Sequence, residues 1–347
     1  MLRVRERRFL DIAWQVRCQR LHVIRRRVTR LSLLAHDRII LAKARWKRGQ
    51  NAAGLRSVHD LSILGDATVA AIFNESAVAG QSAGHGTARQ NLLTPARVPG
   101  SGIRLDRLTL QSGGETQLTV PATSVAWVQG LGGEALIIQG NRRQALTDAH
   151  VGFLPPGFTA SLSSAAGSTL LYGEVPDAAR LDPGVTKNPP AFCLTDWTRE
   201  PVLDSEHDAR KRIYLVTPKL FGTKAVKGEM IIYPPGTAAA NHHHEGAEHF
   251  MYVLRGRGTV YANEKPFPVH QGDVIYHPDR ERHYLEAAAD EELVFAEFFA
   301  PAEFKTVWVD ESQVCAWLPT GRDIRGRTPV REIKAHSVAE VLSPEDV

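Results

Sequence analysis

Cysteine is scarce in this chain of 347 residues, which contains only three. Cys18, Cys193 and Cys315 lie far apart and form no Cys-x-x-Cys pair, so the sequence carries neither a disulfide framework nor a zinc ribbon. No apolar run has the length of a membrane-spanning helix, and we expect no transmembrane segment. No apolar stretch before a small-residue cleavage site marks a secretory signal, and we expect a cytoplasmic protein.

Acidic residues are few in the first part of the chain. Residues 1–50 contain 15 Lys and Arg against 3 Asp and Glu, a net charge of +12. The whole chain carries +4, so the remaining residues carry −8. The basic character therefore belongs to the N-terminal segment, and the rest of the protein is not expected to bind nucleic acid.

Three interpretations of the Arg-rich residues 1–48 remain open. They form an amphipathic helix for a membrane surface or a nucleic acid, an organelle transit segment, or an arm outside the folded domain that reflects an over-extended gene start. The abrupt change in composition and the absence of another Met before Met230 favour the third interpretation. Residues 49–90 are small and polar, so we expect residues 1–90 to be a basic extension, either disordered or helical, and a linker.

Short apolar segments between Gly and Pro turns fill most of residues 91–300, which predicts an all-β protein. The layout is roughly repeated, and each copy has about the 100 residues of a small barrel. We therefore expect barrels at residues 91–178 and 213–300, joined by a linker at 179–212 and followed by a C-terminal tail at 301–347.

A histidine-rich stretch, Asn241-His242-His243-His244-Glu245-Gly246-Ala247-Glu248-His249, is the strongest functional signal. Imidazoles pack less well than aliphatic side chains and need polar partners when buried, so four within eight positions are rarely structural. In a strand, residues two apart face the same way, so His242 and His244 can point at one metal ion while His243 points away.

A second segment, Gly272-Asp273-Val274-Ile275-Tyr276-His277-Pro278-Asp279-Arg280-Glu281-Arg282-His283, completes the pattern. With Gly236, His242, His244 and Gly256 it resembles the cupin superfamily, whose motifs are G-x5-H-x-H-x(3,4)-E-x6-G and G-x5-P-x-G-x2-H. Gly272, Pro278 and His283 match the second motif, and Arg280 stands where the family has glycine. The resemblance implies two jelly-roll barrels and a metal site in the C-terminal one.

The third ligand departs from the family pattern. Glu248 falls within the permitted spacing after His244, but only His249 satisfies both this spacing and the six-residue interval before Gly256. The resemblance therefore implies His242, His244, His249 and His283 as ligands, with Glu248 as the alternative third ligand. In the first barrel, Val120, Ala122 and Ala160 occupy the ligand positions, so we expect no metal there.

Four neutral imidazoles favour a divalent transition metal, with Fe or Mn preferred and Zn, Ni or Cu also compatible. The ion would retain its full charge and attract a small polar or anionic substrate, whose carboxylate Arg280, Arg282 or Lys219 could neutralise. We expect a metal-dependent enzyme, slightly favouring a non-haem dioxygenase.

Two alternatives to the dioxygenase remain. The first is a hydrolase similar to the (S)-ureidoglycine aminohydrolase family, which is also bicupin and binds Mn. This chain resembles that family at Glu248-His249 and Tyr252-Val253-Leu254-Arg255-Gly256, but lacks its Glu and Gln ligands. The second is a non-catalytic cupin that binds a metal or a small ligand. The resemblance also implies a homodimer or higher oligomer.

Overall fold

The computed structural model describes residues 70–337 and residue 347. Residues 1–69 of the predicted basic extension and linker, residues 1–90, lie outside the described residues. In the described part of the chain, strands predominate and the prediction of an all-β fold is confirmed. No helix in this part is long and apolar enough to cross a membrane.

The strands of the first half, in chain order, are β1 (Ala71–Asn74), β2 (Gln81–Leu93), β3 (Arg104–Thr119), β4 (Val125–Gly133), β5 (Ala135–Gln139), β6 (Arg142–Leu146), β7 (His150–Leu154), β8 (Thr159–Ser164), β9 (Ser168–Val175) and β10 (Cys193–Asp196). Short 3-10 turns occupy Glu75–Ala77, Ala178–Arg180 and Trp197–Arg199.

The strands of the second half are β11 (Val202–Ser205), β12 (Lys211–Val216), β13 (Lys227–Tyr233), β14 (His242–Glu245), β15 (Glu248–Arg255), β16 (Arg257–Ala262), β17 (Lys265–His270), β18 (Asp273–His277), β19 (His283–Ala287), β20 (Leu293–Ala300), β21 (Lys305–Trp308), β22 (Ala316–Pro319) and β23 (His336–Ser337). One turn of helix, α1 (Pro218–Phe221), follows β12, and a 3-10 turn occupies Glu311–Gln313.

The first barrel is one curled sheet in the order β10-β7-β4-β9-β3-β8-β5-β6, with β2 paired to β3. Alternate residues of its strands point inward and form an apolar core. Val120 and Ala160, which stand at the expected ligand positions, are buried in that core beside Phe158. Apolar side chains therefore fill the space that the ligands would take.

The second barrel consists of two sheets. One has the order β1-β18-β15-β20-β13-β12-β11-β22-β23, and the other has the order β17-β16-β19-β14-β21. Inward-facing residues such as Ile231, Met251, Val253, Ile275 and Phe295 form its core. The histidines predicted as ligands lie on strands from both sheets, so the site depends on how the two sheets face each other.

Strand pairings cross the boundaries that the sequence suggested. β1, from the expected N-terminal linker, pairs with β18 of the second barrel, and β2 pairs with β3 of the first. β10, from the expected inter-barrel linker, pairs with β7. In the expected tail, β21 pairs with β14 and β22 pairs with β11. β1, β10 and β21 are the outermost strands of their sheets, so one side of each backbone is unpaired.

An aromatic seam joins the two barrels. Trp127 of the first barrel stacks on Phe298 of the second at 4.5 Å between ring centroids, and Phe250 lies 6.2 Å from the same indole. Trp127 is paired across β4 and β9 with Gly173, and Phe298 is paired across β20 and β13 with Gly228. A Cβ at either glycine would overlap the facing ring. Both rings therefore lie flat over glycine backbone and stack against each other.

Candidate metal centre

β14 places two of the predicted ligands on one face. A Pro234-Pro235-Gly236 turn precedes it, and Gly236 has φ 70°, which favours glycine. His242 and His244 lie 5.0 Å apart between ring centroids, while the Nε2 of His243 lies 3.5 Å from Glu245 outside the cluster. The two-residue period of the strand produces this arrangement.

β19 brings the distant histidine to the same place. His283 is 1% exposed and is paired directly with His242 across the two strands. Its ring centroid lies 4.6 Å from that of His242 and 5.2 Å from that of His244.

β15 separates His249 from its neighbour Glu248. His249 is 1% exposed, and its ring lies 4.7 Å from His283 and 4.9 Å from His244. The carboxylate of Glu248 faces the other way, where it accepts hydrogen bonds from the Gly102 amide and the Tyr276 hydroxyl at 2.7 Å each. The structure therefore places His249, and not Glu248, beside the other histidines.

His277 joins the cluster, and the sequence reasoning missed it. It ends β18, has no exposed surface, and is paired directly with His249 across the two strands. Its ring centroid lies 4.3 Å from that of His283 and 5.0 Å from that of His249. The period of two along β18 could have revealed it, because Ile275 of the barrel core and His277 share one face.

Among the described residues, the groups of His, Cys, Asp and Glu that could hold a metal ion all lie here. They are three overlapping trios, and in each trio the candidate ligand atoms lie within 4.8 Å of one another: His242, His244 and His283; His249, His277 and His283; and His244, His249 and Glu297. Nitrogens on opposite sides of one bound transition metal are about 4.2 Å apart. Small side-chain movements would therefore bring each trio to bonding distance.

Hydrogen bonds to the outer ring nitrogens suit metal binding. Nδ1 of His242 lies 2.8 Å from the Ala240 carbonyl, and Nδ1 of His283 lies 2.7 Å from the Glu281 carbonyl. A carbonyl only accepts, so each Nδ1 carries the proton and each Nε2 retains its lone pair. Nε2 of His283 is buried and has no hydrogen-bond partner. Such an orphaned nitrogen is what a metal ligand leaves when the ion is absent.

The histidines are neutral at physiological pH. Burial lowers the pKa of His242, His244, His249 and His283 well below 6.5, and neighbouring imidazoles lower it further. Burial lowers the pKa of His277 to about 3. Metal ligation requires the neutral imidazole, so this environment fits a divalent transition metal and disfavours a proton in its place.

A cavity of about 60 Å³ adjoins the cluster, with His242 and His244 in its wall. A single buried water needs about 10–15 Å³ on the same measure, so there is room for about five small groups. Phe299, Met251 and Trp308 supply apolar parts of the lining.

Three cations line this cavity: Arg210, Arg212 and Lys227. The sequence had suggested Arg280, Arg282 or Lys219 for this role, but none of these lines the cavity. Arg280 is 63% exposed and pairs with Glu245, and Arg282 is 54% exposed beside Glu264. Arg280 and Arg282 lie in the loop before β19, whereas Arg212 and Lys227 lie on β12 and β13 and Arg210 immediately precedes β12.

Two carboxylates complete the cavity wall and differ in protonation. Burial raises the pKa of Glu229, but Arg212 at 3.1 Å and Lys227 at 3.4 Å outweigh it, and the pKa is lowered overall. Burial, with repulsion from Glu229, raises the pKa of Glu297 to about 8. At neutral pH the lining therefore carries three cations against one ionised carboxylate.

Comparison with protein families agrees with this architecture. The cupin domain family matches residues 229–299, the segment that contains all five clustered histidines. A second barrel of the same kind precedes it, which completes the pattern. The chain has a bicupin fold.

Two curated relatives match parts of the bicupin. Oxalate decarboxylase OxdC of Bacillus subtilis is 29% identical over 130 residues, which is 34% of this chain and 33% of the relative. The uncharacterized protein MJ1618 of Methanocaldococcus jannaschii is 34% identical over 73 residues, 21% of this chain and 58% of the relative. The matched segments thus span about a third and somewhat over half of these relatives.

Solved structures extend the likeness in fold over most of the chain. A structure of B. subtilis oxalate decarboxylase has a TM-score of 0.57 at 15% identity. The match covers 76% of this chain and 89% of the decarboxylase chain. The Escherichia coli protein Ylba has a TM-score of 0.55 at 14% identity and covers 68% of this chain and 93% of its own. At such identities the likeness concerns the fold alone.

Proposed function

We propose that this bicupin is a metal-dependent enzyme whose substrate is a small molecule bearing a carboxylate. The observation that carries the proposal is the position of the buried imidazole cluster at the wall of a cationic cavity. The imidazoles supply neutral nitrogen ligands, and the cavity supplies the complementary charge for an anion. His242 and His244 belong to both features.

The cavity restricts the substrate by charge and by size. Arg212 lies over the Trp317 ring at 4.1 Å, which fixes the plane of its guanidinium. Arg210 is held differently, by hydrogen bonds from its Nε to both carboxylate oxygens of Asp208, at 2.9 Å each. Planar, fixed guanidinium groups suit carboxylate recognition. The volume of about 60 Å³ favours a substrate of roughly half a dozen non-hydrogen atoms over a sugar or a nucleotide.

The predicted ligand set His242, His244, His249 and His283 fits a single divalent transition metal, with Fe or Mn favoured. Studies of B. subtilis oxalate decarboxylase describe Mn(II) centres in that protein, which supports Mn as a candidate here. When bound, the ion would polarise a substrate oxygen and hold it in position. Phe299 and Trp308 exclude bulk water, and Glu297, protonated at neutral pH, can donate a proton into the cavity.

Two reaction classes follow from different observations. Four nitrogen ligands leave two positions on a six-coordinate ion, enough for a substrate oxygen and O2, which favours a dioxygenase. The sequence match to oxalate decarboxylase instead favours cleavage of a carbon–carboxylate bond. An aminohydrolase and a binding protein without catalysis are the remaining alternatives.

The test begins with the metal content of the purified protein, His244→Gln and His243→Gln. His243 precedes His244 on the same strand but points out of the cluster, so it is a matched control. We expect the wild type and His243→Gln to hold equal amounts of metal and His244→Gln to lose it. Wild-type protein that binds no Fe, Mn or Zn after reconstitution would overturn the proposal.

Loaded protein is then screened against small mono- and dicarboxylates. Substrate-dependent O2 uptake would indicate the dioxygenase, and CO2 release without net O2 uptake would indicate the decarboxylase. Ammonia release from an amine-bearing acid would indicate the aminohydrolase. Carboxylates that bind the loaded protein without any turnover would contradict the enzyme and leave a binding protein.

A further inference from the structure

His277 is a buried imidazole that neither the cupin motifs nor the predicted ligand set includes. It has no exposed surface, and its Nε2 has no hydrogen-bond partner. Burying an unsatisfied polar nitrogen is destabilising, so its presence in a barrel core needs a compensating partner. The rings of His249 and His283 lie 5.0 Å and 4.3 Å away between centroids, but neither makes a hydrogen bond to this Nε2.

Glu281 determines which way the His277 ring presents its lone pair. Its Oε2 lies 2.8 Å from Nδ1 of His277. Its Oε1 accepts hydrogen bonds from the Ala70 amide at 2.8 Å and from Asn263 at 3.1 Å. The carboxyl group is thus fixed from the far side, and in its ionised form it accepts the Nδ1 proton of His277. Nε2 is left as an acceptor facing the cluster.

This carboxylate–histidine pair is the arrangement that orients histidine ligands in metal sites. The same segment also orients His283, whose Nδ1 donates to the Glu281 carbonyl at 2.7 Å. One residue therefore positions two imidazoles, by its side chain and by its backbone. The candidate ligand atoms of His249, His277 and His283 all lie within 4.8 Å of one another.

We propose that His277 is a ligand of the bound metal, together with His249 and His283, and that Glu281 is its positioning residue. The inference rests on the proposed function in so far as a metal is bound at all. It changes the site, because a fifth imidazole reduces the positions open to the substrate and any second molecule.

Co²⁺ titration of the metal-free protein tests this inference without relying on activity. Visible absorption reports the number and type of ligands, and competition with a chelator gives the affinity. The variants are His277→Gln, Glu281→Gln, His244→Gln and the control His243→Gln. We expect His277→Gln to weaken Co²⁺ binding more than tenfold and to alter the absorption bands, Glu281→Gln to weaken it about 10–100-fold, and His243→Gln to change neither.

The outcomes separate this inference from the proposed function. If His277→Gln binds Co²⁺ with wild-type affinity and spectrum while His244→Gln does not, the role of His277 is refuted and the metal site stands. If the wild type binds no Co²⁺, both fall. If far-UV circular dichroism shows that His277→Gln is unfolded, Glu281→Gln decides: a wild-type affinity and spectrum for that variant would refute the inference.

Discussion

The aromatic seam between the barrels allows a quantitative test of the packing. Trp127 lies flat over Gly173 of the adjacent strand, and a Cβ at Gly173 would overlap the indole ring. Gly173 does not have a positive φ, so its backbone itself accepts alanine. The expected cost of Gly173→Ala therefore comes from the overlap alone, and overlaps of this kind in a packed core cost about 1–3 kcal/mol.

Removing the ring should remove most of that cost. Trp127 is fully buried, and Trp127→Ala is expected to lower the free energy of unfolding by about 3–5 kcal/mol. The lost stacking on Phe298 accounts for about 0.5–1.5 kcal/mol of this. In the Trp127→Ala background, the methyl of Gly173→Ala enters vacated space. We expect the double variant to be more stable than the sum of the single effects by about 1–3 kcal/mol.

Urea unfolding of the full chain, followed by far-UV circular dichroism, measures the four members of this cycle. Gly132→Ala is the matched control, because Gly132 lies on the same strand as Trp127 with open space at its Cβ position. Its effect should be small and additive with Trp127→Ala. Additivity of Gly173→Ala and Trp127→Ala within about 0.5 kcal/mol would show that the overlap does not govern Gly173.

Three further predictions concern the cavity, a buried carboxylate and a turn. Arg212→Gln should weaken the binding of a small carboxylate by tenfold or more, measured as ligand-induced thermal stabilisation. The control Arg282→Gln, at an exposed position, should not weaken it. Equal losses of affinity in both variants would argue against a role for Arg212. Burial raises the pKa of Asp106 from 3.8 to about 6, so the folded state keeps a proton that the unfolded chain releases, and stability falls as the pH rises through that window. The free energy of unfolding of Asp106→Asn relative to wild type should therefore be higher at pH 8 than at pH 3.5, by up to about 3 kcal/mol. Urea unfolding at both pH values measures this difference, and a difference that does not change with pH would contradict the linkage. Gly256 has φ 82°, and a Cβ there would overlap the Glu292 carbonyl; Gly256→Ala should lower the melting temperature by several degrees, and an unchanged value would be inconsistent with this geometry.

Local patterns in the chain were sufficient for the type of fold and for much of the candidate site. The two-residue period of a strand puts His242 and His244 on one face and His243 on the other, whatever the strand packs against. Motif spacing favoured His249 over Glu248, and the structure places these two side chains on opposite faces of β15. Gly and Pro turns with short apolar segments were enough to predict an all-β chain.

Other features depend on contacts between residues far apart in the chain. Strands β1 and β10 are four residues each and lie in segments that we expected to be linkers, and their pairing with β18 and β7 makes them strands. The cations of the cavity were misassigned because charge alone does not distinguish a residue on a buried strand, such as Arg212, from one on an exposed loop, such as Arg280. Burial is decided by what packs on top of a residue.

The all-β class, the division into two barrels and the alternation of the histidines could be predicted from short segments of the chain, because they depend on patterns among nearby residues. The position of His277 opposite His249, with Glu281 behind it, depends on the tertiary structure. The five imidazoles lie together because the two sheets of the second barrel face each other. The physical reason is that a strand fixes which face a side chain occupies but not what lies across from it. The chemistry of this site therefore depends on contacts between strands that are far apart in the sequence.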